Sequence, residues 1–261
     1  MNKLYIWSDI PGDFFKASCE GDARTQSNSD KTPETKVRIE KVMSVNDLIR
    51  LFRSLCDESL EWNTVNFHTH GTGGAIALGS TFLDLDSYVR LENNDFGRLF
   101  AKDCVITFEG CEVADGADGE YFLIEIARTL LINKGGKVRG NTNFGFGNIF
   151  TGGDSSHPFG TWVSANLSVG GALNLVNGKH LHRDNIFKKI KALSEQIARC
   201  EKYFRQGEKQ KVEKAKLEAE VWMRSESWQG RWQAARWLDT AEKILKEIEL
   251  RQPLFVYPTP L

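Results

Sequence analysis

The sequence predicts an α/β fold with a mostly parallel sheet flanked by helices, followed by a C-terminal helical hairpin or small bundle. Up to residue 178, segments rich in β-branched and aromatic residues alternate with segments of helical periodicity. Beyond it, glycine nearly vanishes and Lys, Glu, Ala and Leu dominate. We therefore expect two structural units, residues 1–178 and residues 179–261.

The alternation begins with a predicted strand over residues 3–7. Residues 17–36 contain too few apolar side chains to pack, so a surface loop is expected there. A second strand over residues 37–43 leads into a helix with polar capping residues at positions 44–47. The apolar residues of that helix fall at helical spacing: Leu48, Leu51, Phe52 and Leu55.

The rest of the first unit continues the same alternation. Glycine and alternating apolar residues predict a small hairpin over residues 73–83 and a closing hairpin over residues 161–176. A helix is predicted over residues 119–131, between strands over residues 104–109 and 137–140. Because strands and helices follow one another in turn, a parallel sheet covered on both faces is favoured.

A histidine and a cysteine each follow one of these strands. His70-Gly71 closes the strand that starts at Thr64, and Gly110-Cys111 closes the strand that starts at Cys104. Ligands of parallel sheets bind beyond the carboxyl ends of the strands. A thiol of ordinary pKa is only slightly ionised at neutral pH, so a nucleophilic cysteine needs a neighbouring imidazole. The pattern therefore predicts nucleophilic cysteine chemistry.

Glycine beside each reactive residue has its own use. Without a Cβ atom, Gly71 and Gly110 let a substrate backbone approach closely, and the backbone amides of Gly71 and Cys111 can donate to a developing oxyanion. Taken alone, Cys111 is better explained as a small buried side chain, and His70 as a turn histidine. His68, on the same face of the strand, is the alternative base. The presence of both motifs, His-Gly after one strand and Gly-Cys after a later strand, favours the catalytic interpretation. His70 is preferred as the base because it borders the glycine turn.

Two segments carry a family resemblance: residues 67–79, FHTHGTGGAIALG, and residues 106–116, ITFEGCEVADG. With them, the first 178 residues resemble the caspase-like (clan CD) cysteine peptidases, in particular their bacterial CHAT-type proteases. The resemblance implies a caspase-like sheet, a general base at His70 and a nucleophile at Cys111, with no metal or organic cofactor. It also implies a regulated bacterial stress or defence system with an activating partner or cleavage step. The loop that contains Arg24 is a candidate processing site.

Glu109 precedes the cysteine by two residues. Side chains alternate along a strand, so Glu109 and Cys111 are expected on the same side. In similar peptidases an acidic residue at this position often lies in the S1 pocket, which implies cleavage after Arg or Lys. The alternative is an edge carboxylate that pairs with a nearby basic residue.

The second unit shows a heptad-like pattern from Ile186 to Phe204, a separating Gly207 and a later helix with Trp228 and Trp232. An excess of basic residues beside tryptophans is compatible with a nucleic-acid surface. Solvated Lys–Glu faces and packed tryptophans explain this pattern better, so nucleic acid is not an expected partner. A docking surface for a regulatory protein is the intermediate interpretation.

The alternative function of the chain is a catalytically silent caspase-like scaffold that recruits a partner through this helical tail. A third possible function is the cysteine-dependent hydrolysis of non-peptide acyl substrates.

Composition excludes several classes of protein. The net charge of −1 gives no global attraction to nucleic acid or membranes, and no apolar run is long enough to span a bilayer. Five cysteines without CxxC spacing do not indicate a disulfide framework or a zinc site. An acid at position 9 does not fit a signal peptide, so a cytoplasmic location is the default expectation.

Residues 141–160, rich in Gly, Asn and Ser, are expected to help form the specificity pocket.

Overall fold

The structure, a computed structural model, describes residues 1–10, 16–143 and 160–251. The chain divides into two compact units, Met1–Gly178 and Lys179–Leu261, which we call the sheet unit and the helical unit. Of the loop predicted over residues 141–160, positions 144–159 lie outside the described residues. The specificity pocket predicted there therefore stays a prediction.

The described strands all belong to the sheet unit. In chain order they are β1 Asn2–Trp7, β2 Lys36–Lys41, β3 Trp62–His68, β4 Gly71–Thr72, β5 Ala75–Leu78, β6 Thr81–Asp84, β7 Phe100–Phe108, β8 Gly136–Asn141, β9 Trp162–Leu167 and β10 Leu173–Val176. Seven of them form a sheet in the order β10-β9-β8-β7-β3-β1-β2, and β4, β5 and β6 form a small antiparallel sheet. Five neighbouring strands of this sheet, β8, β7, β3, β1 and β2, are parallel. β9 pairs antiparallel with β8, and β10 pairs antiparallel with β9. This is the mostly parallel sheet that the sequence predicts.

Helices connect the parallel strands. The sheet unit contains α1 Lys16–Ser29, α2 Val45–Asp57, α3 Val89–Glu92 and α4 Gly116–Leu130. The chain passes from β1 to β2 through α1 and returns across β1 to β3 through α2, in opposite directions along the sheet. Because parallel crossovers are right-handed, the two helices lie on opposite faces.

The sheet has one apolar and one polar face. In-register residues of the four central strands form apolar rows on one face, such as Leu4, Val65, Ile106 and Val138. On this face the ring of Phe108 packs 5.4 Å from the ring of Phe122 on α4. The neighbouring row, on the opposite face, contains Tyr5, Asn66, Thr107 and Arg139. Period-two alternation therefore separates a hydrophobic core from a polar sheet surface.

The loop predicted over residues 17–36 is wrong, because α1 occupies most of it. The helix packs on the polar face through Ala23, which is buried against Tyr5. Beyond its end, Asp30 forms an ion pair with Lys3 at 2.7 Å. A helix that buries so few apolar atoms leaves little periodicity in the sequence. Arg24 therefore lies on a helix, where its Nε donates to Glu20 at 2.8 Å, and not in a loop as a processing site would require.

Elements with a strong apolar pattern match their predictions. The helix predicted after residue 44 is α2, and Ser44 caps it by accepting a hydrogen bond from the Asp47 amide at 3.1 Å. Both predicted hairpins are present, as β5–β6 and β9–β10. The predicted strand at residues 104–109 is longer, because β7 begins at Phe100.

The helical unit contains three described helices, α5 Arg183–Cys200, α6 Glu208–Trp222 and α7 Trp228–Leu250. Their core is built from Ile, Leu, Val and Ala side chains, including Ile186, Leu193, Ala234 and Leu238. Trp237 packs against this core, but Trp228 is not part of it and instead lies beneath a guanidinium group. The packing interpretation of the tryptophans is therefore only partly correct. Within the described ranges, each helix is too short or too polar to cross a membrane.

Candidate functional site

The two strands that precede the predicted catalytic residues are neighbours. β3 and β7 pair in parallel, and their last paired residues are Phe67 and Phe108. The ladder extends by one further bond, in which the Glu109 amide donates to the Phe67 carbonyl at 2.9 Å. The segments that follow β3 and β7 then leave the sheet at the same edge. His70 lies two residues after β3, and Cys111 lies three residues after β7.

The segments that follow these strands pack backbone against backbone. A Cβ atom built on Gly71 would lie 2.7 Å from the Cys111 carbonyl oxygen and 2.4 Å from Cγ2 of Val113. A Cβ atom on Gly110 would lie 2.9 Å from the Thr69 carbonyl oxygen and 3.2 Å from the Gly71 amide nitrogen. Such distances leave no room for a side chain at either position. The structure thus brings His70-Gly71 and Gly110-Cys111 into direct contact.

Hydrogen bonds hold the turn that contains Cys111 from two directions. The Val113 carbonyl accepts from the Gly74 amide at 3.0 Å, and the Ala114 amide donates to Asn141 at the end of β8 at 3.0 Å. The residue after the cysteine, Glu112, has a left-handed backbone with φ of 54°. A non-glycine residue in that region requires support from its surroundings, which these bonds supply.

The two histidines have different environments. His68 is 2% exposed, and its ring stacks on Tyr5 with centroids 5.9 Å apart. Its Nε2 has no hydrogen-bond partner among the described residues, and burial lowers the pKa of His68 to about 4. The imidazole is therefore neutral at pH 7. His70 is only half-buried and lies beyond the end of β3, while its carbonyl accepts from the Ala77 amide at 2.8 Å.

No disulfide joins the five cysteines, all of which lie in the described part of the chain, and they differ in burial. Cys111 and Cys56 are half-buried, whereas Cys19, Cys104 and Cys200 are buried. Burial raises the pKa of the Cys104 thiol to about 12, so this thiol stays protonated at neutral pH. Cys104 is a core residue.

Glu109 lies beside the polar face of the sheet. β7 ends at Phe108, and Cys111 lies in a turn, so strand alternation does not extend from Glu109 to the cysteine. The expected same-side placement therefore lacks its physical basis. The Glu109 carboxylate is half-buried, and its charge reaches Tyr5, where burial, Asp30 and Glu109 all raise the pKa of the phenol.

Asp9 lies at the same edge and was not among the predicted site residues. It follows β1 by two residues, as His70 follows β3, and it is 3% exposed. One carboxylate oxygen pairs with Lys41 at 3.2 Å, and the other, Oδ1, is buried without a hydrogen-bond partner among the described residues. Its position after a strand was the available sequence signal. No group of three or more His, Cys, Asp or Glu residues within the described part of the chain has the arrangement of a metal site.

A family model described as a domain of unknown function, DUF4347, matches residues 30–154. The match runs from the approach to β2 to a point beyond β8 and includes both His70 and Cys111. No curated protein matches the chain.

Replacement of Gly71 by alanine is expected to lower the free energy of unfolding by about 1–3 kcal/mol, the typical cost of overpacking. The added methyl group would collide with the Cys111 carbonyl and Val113. Urea denaturation measures the effect, and Gly21→Ala is the control because Gly21 lies in α1 with open space around its Cα. Equal stabilities of the two variants would show that the turns do not pack as described.

Because His68 is buried, we expect the free energy of unfolding to decrease at acidic pH. The folded-state pKa of about 4 lies below the usual value of 6.5, so the unfolded chain binds the additional proton between these pH values. His68 therefore lowers the free energy of unfolding progressively as the pH falls from 6.5 to 4, by up to about 3 kcal/mol. Urea denaturation across this range should show a shallower pH dependence for His68→Gln. An NMR titration of His68 with a midpoint near 6.5 would contradict the prediction.

Proposed function

We propose that the chain is a caspase-like cysteine endopeptidase that uses Cys111 as its nucleophile and His70 as its general base. The observation that carries the proposal is the contact between Gly71 and the Cys111 carbonyl, which puts the two strand-end motifs side by side. A Cys-His pair needs this proximity, because the imidazole must accept the thiol proton. The resemblance of the two motifs to clan CD peptidases supplies the reaction class.

The proposed reaction uses groups from both turns. His70 takes the proton of Cys111, and the sulfur attacks the carbonyl carbon of the scissile peptide bond. The Gly71 and Cys111 amides donate hydrogen bonds to the oxyanion of the tetrahedral intermediate. His70 then gives its proton to the leaving amine, and water hydrolyses the thioester to release the second product and restore the thiol.

The burial of the two histidines supports His70 as the base. The pKa of His68 lies near 4, so this imidazole is a weak base with little affinity for a thiol proton at pH 7. It is also the last residue of β3, whereas His70 lies beyond the end of the strand. His70 is less buried and directly precedes the glycine that contacts the cysteine segment.

Glu109 is the proposed determinant of specificity for Arg or Lys before the cleaved bond. A half-buried carboxylate close to the nucleophile in sequence can form a charge-assisted hydrogen bond with a basic substrate side chain. Its position at the strand edge and the acidic residue at this place in similar peptidases support the assignment.

An irreversible inhibitor tests the nucleophile. An acyloxymethyl ketone peptide with Arg at its reactive end is expected to alkylate Cys111: the sulfur bonds to the methylene carbon, the carboxylate leaves, and the mass of the peptidyl methyl ketone group is added, as located by tryptic mass spectrometry. Cys111→Ala should abolish labelling, and His70→Ala should slow it by about 10²-fold or more. Cys56→Ala is the matched control, because Cys56 is the other half-buried thiol.

Labelling that persists in Cys111→Ala would contradict the proposal. So would a complete absence of labelling with the full chain both before and after limited proteolysis, which covers an activation by cleavage. The second result would favour the catalytically silent scaffold.

A charge-neutral substitution tests the specificity. Glu109→Gln should lower kcat/KM for substrates with Arg at the cleaved position by about tenfold or more, because a charge-assisted bond is replaced by a neutral one. Substrates with an uncharged residue there and the rate of Cys111 alkylation by iodoacetamide should change little. Glu34→Gln, an exposed carboxylate distant in sequence, is the control. An unchanged preference for Arg would refute the role of Glu109.

A further inference from the structure

The positive charge of the helical unit is concentrated in two segments. Lys179–Leu261 contains 18 Lys and Arg residues against 12 Asp and Glu, a net charge of +6. The first half of α5, residues 183–191, and the passage from the end of α6 into α7, residues 222–238, together contain seven Lys and Arg against two Asp and Glu. These two segments, which we call the basic end, therefore carry a net charge of +5, and the rest of the unit is nearly neutral.

The two segments of the basic end contact each other. Nη1 of Arg183 lies 3.8 Å from a carboxylate oxygen of Glu226, which belongs to the turn between α6 and α7. That turn is compact, because a Cβ atom built on Gly230 would lie 2.8 Å from the Trp222 carbonyl oxygen and 2.8 Å from Cβ of Ser225. The start of α5, the end of α6 and the start of α7 therefore lie side by side.

One face of α7 carries both tryptophan and arginine. Trp228, Trp232 and Arg236 follow one another at steps of four residues, so they lie along the same face of the helix. The guanidinium carbon of Arg231 lies 4.5 Å from the centre of the Trp228 ring. The guanidinium carbon of Arg236 lies 5.2 Å from the centre of the Trp232 ring. No acidic residue occurs in the sequence from position 227 to position 238.

These tryptophans are not explained by packing within the unit. Trp228 and Trp232 lie outside the hydrophobic core that the described residues of the helical unit form, whereas Trp237 packs against it. From the sequence, packed tryptophans are the better explanation, and nucleic acid is not an expected partner. The structure removes that explanation for two of the rings.

Exposed rings extend the same surface onto α5 and α6. Phe187 is 45% exposed, and Trp222 is 37% exposed. The guanidinium carbon of Arg183 lies 5.5 Å from the centre of the Phe187 ring. Aromatic rings that stay in contact with water beside cations suit a ligand that offers both flat rings and negative charge.

We infer that the basic end binds a single-stranded nucleic acid, with bases stacked on its aromatic rings and phosphates bound by its arginines. Unpaired bases have open faces that stack on aromatic side chains, and guanidinium N–H groups match phosphate oxygens in geometry. An acidic protein segment would supply the negative charge without the flat rings. A membrane surface would require apolar side chains that insert, whereas the rings of α7 lie beside guanidinium groups. This inference does not rest on the proposed peptidase activity.

Fluorescence anisotropy of labelled oligouridine and oligothymidine of equal length, each titrated with the full-length chain, tests the inference. We expect saturable binding that weakens as the salt concentration rises, because phosphate contacts release counterions. Trp232→Ala should weaken binding by about tenfold, since a stacking ring is lost, and Trp232→Phe should retain most of the affinity. Arg236→Gln should lower the slope of log affinity against log salt by about 1.

Lys202→Gln is the matched control. Lys202 also lies over an aromatic ring, with Nζ 5.0 Å from the centre of the Tyr203 ring, but it follows the opposite end of α5. This variant loses the same charge as Arg236→Gln and should bind like the parent. Circular dichroism verifies that each variant is folded.

Competition separates stacking from charge alone. Unlabelled duplex DNA, heparin and vesicles of anionic phospholipid each compete with the labelled strand, and each should compete less well than an unlabelled single strand of equal charge. Tighter binding of oligouridine than of oligothymidine would assign the surface to RNA, and the reverse order would assign it to single-stranded DNA.

Four results would overturn the inference. The first is the absence of saturable binding of either strand. The second is an affinity that Trp232→Ala leaves unchanged. The third is an equal loss in Lys202→Gln, which would show attraction to the overall charge of the unit. The fourth is equal or better competition by the duplex, heparin or the vesicles.

Discussion

The candidate site depends on the contact between two glycine-containing turns. Gly71 and Gly110 bring the backbones that follow β3 and β7 so close that a methyl group on either would collide with the facing carbonyl. The parallel pairing of the two strands, which ends at Phe67 and Phe108, sets this approach. Because main-chain atoms and the Val113 side chain fill the space at this contact, there is no room for a side chain at Gly71 or Gly110.

The two faces of the sheet give the site its chemical surroundings. Apolar rows such as Leu4 and Val65 build the core, while the other face carries Tyr5 and Asn66 and receives α1. Burial within this polar face keeps His68 neutral, whereas His70, two residues further along, lies beyond the end of β3 and is only half-buried. Desolvation is the cause of the lowered pKa of His68.

The helical unit is built around an ordinary aliphatic core. Its helices pack through small and branched side chains, which are sufficient for a stable bundle.

The sequence by itself determined the elements with strong local patterns: the capped α2, α4, both hairpins and the strands that end before His70 and Cys111. It missed α1, because the buried side chains described in this helix are small or polar, so that it has almost no apolar periodicity: Cys19, Asp22, Ala23 and Ser27. Only the tertiary structure decided the burial of His68, the end of β7 before Glu109 and the place of Asp9. Each of these depends on strand register or on packing between distant segments, and local side-chain patterns carry no information about either.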